Sequence, residues 1–201
     1  MRRLWLSVLM MTLLLTACGG GEGNKAEELA LTARGTYLAA QGCSGGAVVT
    51  ADYGQRIYRY RLDFQADEEQ TVMTLTEPET VAGISARLSA REGSKLEYEG
   101  IMLETGPLDD SGLSPVSAVP ALLETVREGY LDTCVLETGK DGSQTLRLLS
   151  RDPEQALGSG IETTLWVSPD SLKLLRGEIC RDGVCVIQCE FSDFEFIDTL
   201  R

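Results

Sequence analysis

The hydrophobic positions of this chain change their spacing twice. Residues 4–17 form an almost unbroken apolar run. Apolar residues then recur at helical spacing, as in Leu29, Ala33 and Tyr37, which predicts an N-terminal helix with Asn24 as its cap. From residue 56 onward apolar and polar residues alternate, which is typical of strands with one face in water.

The alternating segments predict an antiparallel meander. In the first of them Tyr58, Tyr60, Leu62 and Phe64 share one face, and charged residues take the other. Turn residues separate the segments at intervals of about ten residues, as expected for consecutive antiparallel strands. The predicted strands are residues 56–64, 71–76, 84–88, 95–99, 133–137, 145–149, 161–167, 174–179 and 184–196.

Residues 106–130 interrupt the alternation. A stretch rich in glycine, proline and aspartate predicts a loop, after which Ser114-Pro115 and Pro120 suit helix starts. Residues 121–128 predict a short helix with Leu122, Leu123 and Val126 on its apolar side. A one-sided sheet must cover its apolar face. We therefore expect an α+β fold in which a curved antiparallel sheet is covered on its concave face by the N-terminal helix and this helical insertion. Incomplete cover would leave a cavity for apolar molecules.

The first eighteen residues indicate export. Arg2 and Arg3 precede the 14-residue apolar run, which is shorter than the roughly 20 residues of a spanning helix and fits a secretory signal. The run ends in Leu-Thr-Ala-Cys-Gly at residues 15–19, which resembles the lipobox of bacterial lipoproteins. That resemblance implies cleavage between Ala17 and Cys18, and acylation of Cys18 with chains such as palmitate. The alternative, a buried core helix with an incidental cysteine, explains neither the flanking charge nor the small residues.

These features divide the chain into three parts. Residues 1–17 are the predicted signal peptide, residues 18–24 the acylated cysteine with a flexible glycine-rich tether, and residues 25–201 the folded domain. The anchor predicts a location on the outer face of the cytoplasmic membrane, or at the outer membrane if the host has one.

Charge and composition exclude several functions. The chain has no histidine, so Ser-His-Asp and Cys-His catalysis and histidine-bearing metal sites are impossible. Its formal net charge of −13 argues against a nucleic-acid partner. After loss of residues 1–17 the formal charge is −15, so acyl chains rather than electrostatic attraction would hold the protein on anionic lipid.

No motif predicts an enzyme, a cofactor or a metal. Residues 42–46, Gly-Cys-Ser-Gly-Gly, match the Gly-x-Ser-x-Gly elbow of hydrolases, but a helix precedes them and no histidine base exists. We interpret them as a turn at the end of the helix. Cys180, Cys185 and Cys189 follow one predicted hairpin, but ligand-type residues are scarce around them, so we expect no metal.

The final strands resemble a known family. Residues 165–179, with a Pro-Asp-Ser turn at 169–171, and the Phe-Ser-Asp-Phe segment at 191–194 resemble the closing strands of outer-membrane lipoprotein-sorting (LolA-like) proteins. Residues 106–115 resemble lipid-anchored members from clostridia-type bacteria. The resemblance implies a half-barrel of about eleven strands whose apolar concavity is plugged by helices. Soluble members carry lipoproteins, whereas a chain anchored at Cys18 cannot move freely between membranes.

Two functions follow as hypotheses. In the first, the anchored domain is a non-enzymatic binding protein whose concavity holds lipid, a lipoprotein acyl chain or a partner peptide. In the second, which the resemblance also allows, it regulates an envelope or spore-germination partner and holds no ligand. The large apolar residues fit either core packing or a pocket lining. The candidate lining residues are Tyr58, Tyr60, Leu62, Tyr98, Leu122, Trp166, Phe191 and Phe194.

Cys180 and Cys185 form the predicted disulfide. A two-residue Asp182-Gly183 turn would place them directly opposite each other. The hydrophobic phase of the hairpin instead favours a three-residue loop, which would point them to opposite faces. We predict the Cys180–Cys185 bridge because short loops close at low entropic cost. The pairing of Cys43, Cys134 and Cys189 stays open.

Overall fold

The computed structural model describes residues 21–89, 93–106 and 111–197. The predicted signal peptide and the acylation site Cys18 lie outside the described residues. The helices are α1 (Gly21–Ala39) and α2 (Pro115–Glu128). The strands are β1 (Gly42–Asp52), β2 (Ile57–Asp67), β3 (Gln70–Glu77), β4 (Ser85–Ser89), β5 (Gly93–Tyr98), β6 (Ile101–Gly106), β7 (Leu131–Thr138), β8 (Gln144–Arg151), β9 (Ile161–Val167), β10 (Leu174–Arg181) and β11 (Val184–Ile197).

All eleven strands form one antiparallel sheet in the order β6-β5-β4-β3-β2-β1-β11-β10-β9-β8-β7. Neighbouring strands of the sheet are consecutive in sequence except at the centre, where β1 pairs with β11. The segment that contains α2 connects β6 with β7, and these two strands are the free edges of the sheet. The sheet is therefore curved but unclosed, and the expected α+β half-barrel is confirmed.

Strand β1 occupies the middle of the sheet. Its first residues, 42–46, are those for which the sequence predicted a turn. It pairs with β2 along its whole length and with β11 through a register shift between Ser44 and Gly46. A Cβ at Gly45 would lie 2.9 Å from the carbonyl oxygen of Ser192 on β11. Glycine is therefore required by close approach of two backbones at a bulge. The interpretation of residues 42–46 as a helix-end turn was wrong.

Helix α1 begins at Gly21 and so includes the last residues of the predicted tether. Its buried side is made of Ala26, Ala30, Ala33 and Tyr37, which recur every three to four residues. The small alanines allow the helix to lie close to the sheet.

Helix α2 begins at Pro115, the first of the two predicted helix starts and six residues before the predicted helical segment. The hydroxyl of Ser114 accepts a hydrogen bond from the amide of Ser117 (3.1 Å), and the Ser117 hydroxyl accepts one from the amide of Ser114 (3.3 Å). Pro115 follows this capping box at the first helical position, where proline is tolerated. Arg34 of α1 joins the helices, since its Nε donates to the carbonyl of Val126 (3.2 Å).

The two described helices cover one half of the concave face. Helix α1 packs on β7 and β8, and α2 packs on β1, β9 and β11. Beneath them Val49 and Ile187 are fully buried. On the far strands Tyr98 is 45% exposed and Ile101 73% exposed. Among the described residues, no helix combines the length and apolar character needed to cross a membrane.

Candidate apolar binding trough

The uncovered half of the sheet carries a continuous row of apolar side chains on its concave face. The register of β2 to β6 places them on one face, because Leu75 pairs with buried Leu62 and each later strand keeps this phase. Most of these side chains are half-buried or exposed. We call the set the trough: Tyr58, Tyr60, Leu75, Leu88, Leu96, Tyr98, Ile101 and Leu103.

Tyrosine rings form one end of the trough. The rings of Tyr58 and Tyr60 are stacked, with centroids 6.4 Å apart and an interplanar angle of 5°. Tyr53 contacts Tyr58 edge-on at 6.1 Å, and its hydroxyl donates to the carbonyl of Leu113 (3.0 Å). Burial, together with the neighbouring Tyr60 and Tyr58, raises the pKa of Tyr53. The Tyr53 phenol is therefore neutral near pH 7, and the three rings present largely apolar surface.

The other end of the trough opens into a cleft of about 910 Å³. This volume lies within the range of about 300–1,000 Å³ of small-molecule sites. Leu88 belongs to both trough and cleft, so the two are continuous. The cleft is bounded by the C-terminal end of α1, one side of α2, the β2–β3 turn and the β4–β5 hairpin. Among the residues that the structure describes, its charged lining consists of Asp67, Glu68, Glu69, Glu124, Glu128 and Arg127.

Tyr37 forms the buried floor of the cleft. Its hydroxyl accepts a hydrogen bond from the amide of Leu174 (2.9 Å), and burial raises its pKa far above the ordinary value. Its ring contacts Phe194 (5.8 Å) and Phe196 (5.0 Å). The floor is therefore a rigid, neutral surface that joins α1 to β10 and β11.

No protein-family model matches the sequence, and no curated protein matches it at a significant level. Solved structures are similar over most of the chain. An outer-membrane lipoprotein-sorting protein domain from Vibrio parahaemolyticus superposes with a TM-score of 0.50 at 11% identity, covering 89% of this chain and 95% of that chain. The fold is LolA-like. The resemblance noted in the closing strands is thus confirmed for the fold, while the clostridial affinity stays a prediction.

Two further solved structures are similar over most of the chain. A LolA superfamily protein from Nitrosomonas europaea has a TM-score of 0.45 at 13% identity, covering 87% of this chain and 94% of that chain. The Mycobacterium tuberculosis lipoprotein LppX has a TM-score of 0.45 at 17% identity, covering 84% and 92%. At these identities no individual residue role transfers to the LolA-like domain described here.

The structure distributes the candidate lining residues over three places. Tyr58, Tyr60 and Tyr98 lie in the trough. The other candidates on the concave side belong to the core or pack against it. Leu62, Leu122 and Phe194 are buried, and Phe191 is half-buried against them.

Trp166 lies instead on the convex face of the LolA-like domain. Its neighbours Leu165 and Val167 are fully buried, so the alternation of β9 turns Trp166 outward. The Arg176 guanidinium lies over the indole ring, 4.9 Å from its centroid. The indole Nε1 donates to Glu137 (3.3 Å). Trp166 is therefore part of a polar convex cluster and lines neither trough nor cleft.

The hairpin of β10 and β11 combines the two-residue turn with the hydrophobic phase that had favoured a longer loop. Asp182 (φ 51°) and Gly183 (φ 76°) form a two-residue turn, and Cys180 and Cys185 are directly opposite. Val186 is an extra bulged residue, which returns Ile187 to the concave face. Both thiols are unbonded. Burial and the adjacent Cys185 thiol raise the pKa of Cys180 to about 12. The disulfide stays a prediction.

Sequence reasoning missed β6 and the cleft. Strand β6 is short and follows its partner after only two residues, Glu99 and Gly100, and the positive φ angles of both form the hairpin turn. An acidic residue followed by glycine between apolar pairs was the available signal. The cleft has no such signal, because its walls come from four separate segments. Within the described residues, no group of three or more potential metal ligands comes together.

Proposed function

We propose that this chain is an extracytoplasmic lipoprotein, acylated at Cys18, whose LolA-like domain binds an apolar chain without chemical turnover. The ligand would be a lipid or a lipoprotein acyl chain lying along the trough with its head in the cleft. The observation that supports this proposal is that the helices cover one half of the concave face and leave the other half exposed. Ile187 beneath the helices is fully buried, whereas the apolar concave side chains of Tyr98 and Ile101 are exposed.

Burial of this surface supplies the binding energy. Each large apolar side chain gains roughly 1.5–3 kcal/mol when it is fully removed from water, and each CH₂ of an acyl chain gains about 0.8 kcal/mol. Exposed apolar patches of this kind mark binding sites in soluble domains. The description of the Vibrio protein as a lipoprotein-sorting domain is consistent with an acylated ligand.

The anchor would keep the domain close to the bilayer. Helix α1 starts at Gly21, only three residues after Cys18, and three residues span at most about 11 Å. The protein would therefore present or store its ligand at one membrane and would not carry it between two.

Uptake of a fluorescent probe with an uncharged head and a long alkyl chain tests the proposal. Tyr98→Asp in the trough should weaken uptake about tenfold or more, because a carboxylate in an apolar site costs over about 1.4 kcal/mol. Leu157→Asp is the matched control, since Leu157 is 71% exposed on the β8–β9 loop, outside trough and cleft. An interior that excludes the probe would favour the interaction-only hypothesis.

The anchor needs a separate test. Globomycin, which blocks lipoprotein signal processing, should cause the precursor to accumulate, and Cys18→Ala should release the protein from the membrane fraction. Unchanged processing in the presence of globomycin would contradict acylation at Cys18, whatever the result of the probe experiment.

A further inference from the structure

Strand β6 ends the sheet, and no other described segment pairs with its outer backbone edge. The two-residue turn at Glu99 and Gly100 makes Tyr98 and Ile101 the first hydrogen-bonded pair of the β5–β6 hairpin. Ile101 and Leu103 therefore direct their amide and carbonyl groups toward β5. Met102 and Glu104 direct theirs away from the sheet, so four main-chain groups line the free edge.

The side chains at this edge are unusually apolar for a surface. Ile101 (73% exposed) and Leu103 face the concave side, and Met102 (60% exposed) faces the convex side. Exposed edge strands normally carry charges, prolines or bulges that prevent pairing. On β6 these features are confined to Glu104 and to the register shift that follows it. At the opposite edge, β7 is packed against α1, and the apolar Leu136 is half-buried there. The two edges of the sheet thus differ, and β6 is the one available to another strand.

The acidic residues around β6 determine which charge a pairing strand should carry. On the convex face Glu97 is paired in register with Met102, Glu104 follows two positions later, and Glu99 lies at the turn. Lys95, opposite Glu104, is the only basic residue of the described hairpin. A second copy of this chain paired antiparallel through β6 about Leu103 or Glu104 would bring both copies of Glu104 to neighbouring positions on one face. Like charges at cross-strand positions destabilise a sheet, so a second copy is disfavoured.

We infer that the β6 edge binds an extended segment of a basic partner polypeptide, which adds to the sheet as a further strand. Its main chain pairs with Met102 and Glu104. Alternate apolar side chains contact Ile101 and Leu103 on the concave side. The intervening basic side chains meet Glu97 and Glu104 on the convex side. This surface does not require the trough to hold a lipid.

A synthetic peptide of alternating lysine and valine, labelled with a fluorophore, is the probe for the full-length chain. Fluorescence anisotropy should show binding that weakens as salt is raised, because the charge pairs are exposed. A peptide of the same composition with the lysines and valines in separate blocks should bind at least about tenfold more weakly. An alternating glutamate-valine peptide should not bind. Equal binding of all three peptides would overturn the inference.

Two variants separate main-chain pairing from charge. Met102→Pro removes an outward amide and should abolish binding, while Met102→Thr keeps that amide and should bind within about threefold of the parent chain. Replacing both Glu97 and Glu104 by Lys should transfer the preference to the glutamate-valine peptide. Binding unaffected by Met102→Pro would overturn the inference.

A peptide-side control covers the case in which Met102→Pro does not fold. Methylation of the backbone nitrogens that face β6 should abolish binding to the parent chain. If the methylated peptide binds as tightly as the parent peptide, strand addition is wrong. Concentration-dependent dimers lost on Met102→Pro would instead identify a second copy as the occupant and contradict the basic partner.

Discussion

Gly177 of β10 lies directly beneath Leu122 of α2, and a Cβ at position 177 would come within 2.6 Å of both Leu122 methyl carbons. Leu122 is fully buried, and Gly177 faces the concave side of the sheet. The missing side chain on the strand therefore sets how closely the helix sits. It also fixes the position of the side of α2 that forms one wall of the cleft.

Gly177→Ala should destabilise the domain by about 1–3 kcal/mol, because the added methyl overpacks a filled interface. Urea unfolding followed by circular dichroism measures this change. Gly35→Ala is the matched control, since Gly35 lies on the exposed side of α1, where an added Cβ would meet no atom within 4 Å. There alanine should stabilise the helix by up to about 1 kcal/mol.

The Leu122→Ala variant tests whether the contact itself is responsible. Alone it should cost about 2–5 kcal/mol through the cavity that it leaves. Combined with Gly177→Ala, the total should fall short of the sum of the single effects, because the new methyl enters that cavity. Strict additivity would show that Gly177 acts through the backbone and not through Leu122.

Trp166→Phe should leave uptake of the uncharged alkyl probe unchanged within about twofold, because the indole lies on the convex face with Arg176 and Glu137. The same titration on Tyr98→Asp provides the contrast, since Tyr98 lies in the trough. Loss of uptake in Trp166→Phe alone would mean that the ligand occupies the convex side.

Alternation was sufficient to predict most of the sheet. Residues 161–167 alternate cleanly, and β9 has those bounds in the structure. Strand β1 was missed because glycines 42, 45 and 46 resemble a turn, whereas the structure uses Gly45 for close contact with β11. A backbone approach between strands distant in sequence leaves no periodic signal.

The sequence also could not predict which inward-facing residues belong to the core and which to the trough. Ile187 and Tyr98 both occupy inward positions of an alternating strand, yet Ile187 is fully buried and Tyr98 is not. What separates them is the placement of α1 and α2, which depends on contacts such as that between Arg34 and Val126. Trp166 was assigned to the pocket because its aromatic character outweighed its phase, which already pointed outward.

Cys180 and Cys185 should form a disulfide in the exported protein. Their direct opposition at a non-hydrogen-bonded position is compatible with a cross-strand bridge. Closing so short a loop should stabilise the fold by about 2 kcal/mol. Mass mapping of a non-reduced digest should find the linked peptides, with the Cys180→Ser and Cys185→Ser double variant as control. Quantitative alkylation of both thiols without reductant would contradict the bridge.

Stability should fall as the pH rises above about 9 under reducing conditions. The ordinary thiol pKa is 9.0, and burial raises that of Cys43 to about 11. The unfolded chain therefore loses this proton first, so stability that is present below about pH 9 is lost as the pH approaches 11. Burial raises the pKa values of Cys189 and Tyr37 in the same direction.

Urea unfolding at several pH values between about 8 and 11 measures this decline. The Cys43→Ala variant should have its own lower stability at neutral pH but a shallower decline, because one titrating group is absent. An identical slope in the parent and in this variant would show that Cys43 ionises normally in the folded protein.

The head of the bound chain should be cationic or neutral. The described residues that line the cleft at the end of the trough include five carboxylates and one guanidinium, that of Arg127. This excess of negative charge opposes a carboxylate head. A long-chain alkylamine should therefore displace the uncharged probe about tenfold more effectively than the fatty acid of equal length.

Replacing both Glu124 and Glu128 by Lys should narrow or reverse this preference for the amine over the fatty acid, and raised salt should weaken it. Glu154→Lys is the matched control, because Glu154 is exposed on the β8–β9 loop, away from the cleft. Equal displacement by amine and fatty acid in the parent chain would mean that the head group lies outside the acidic cleft.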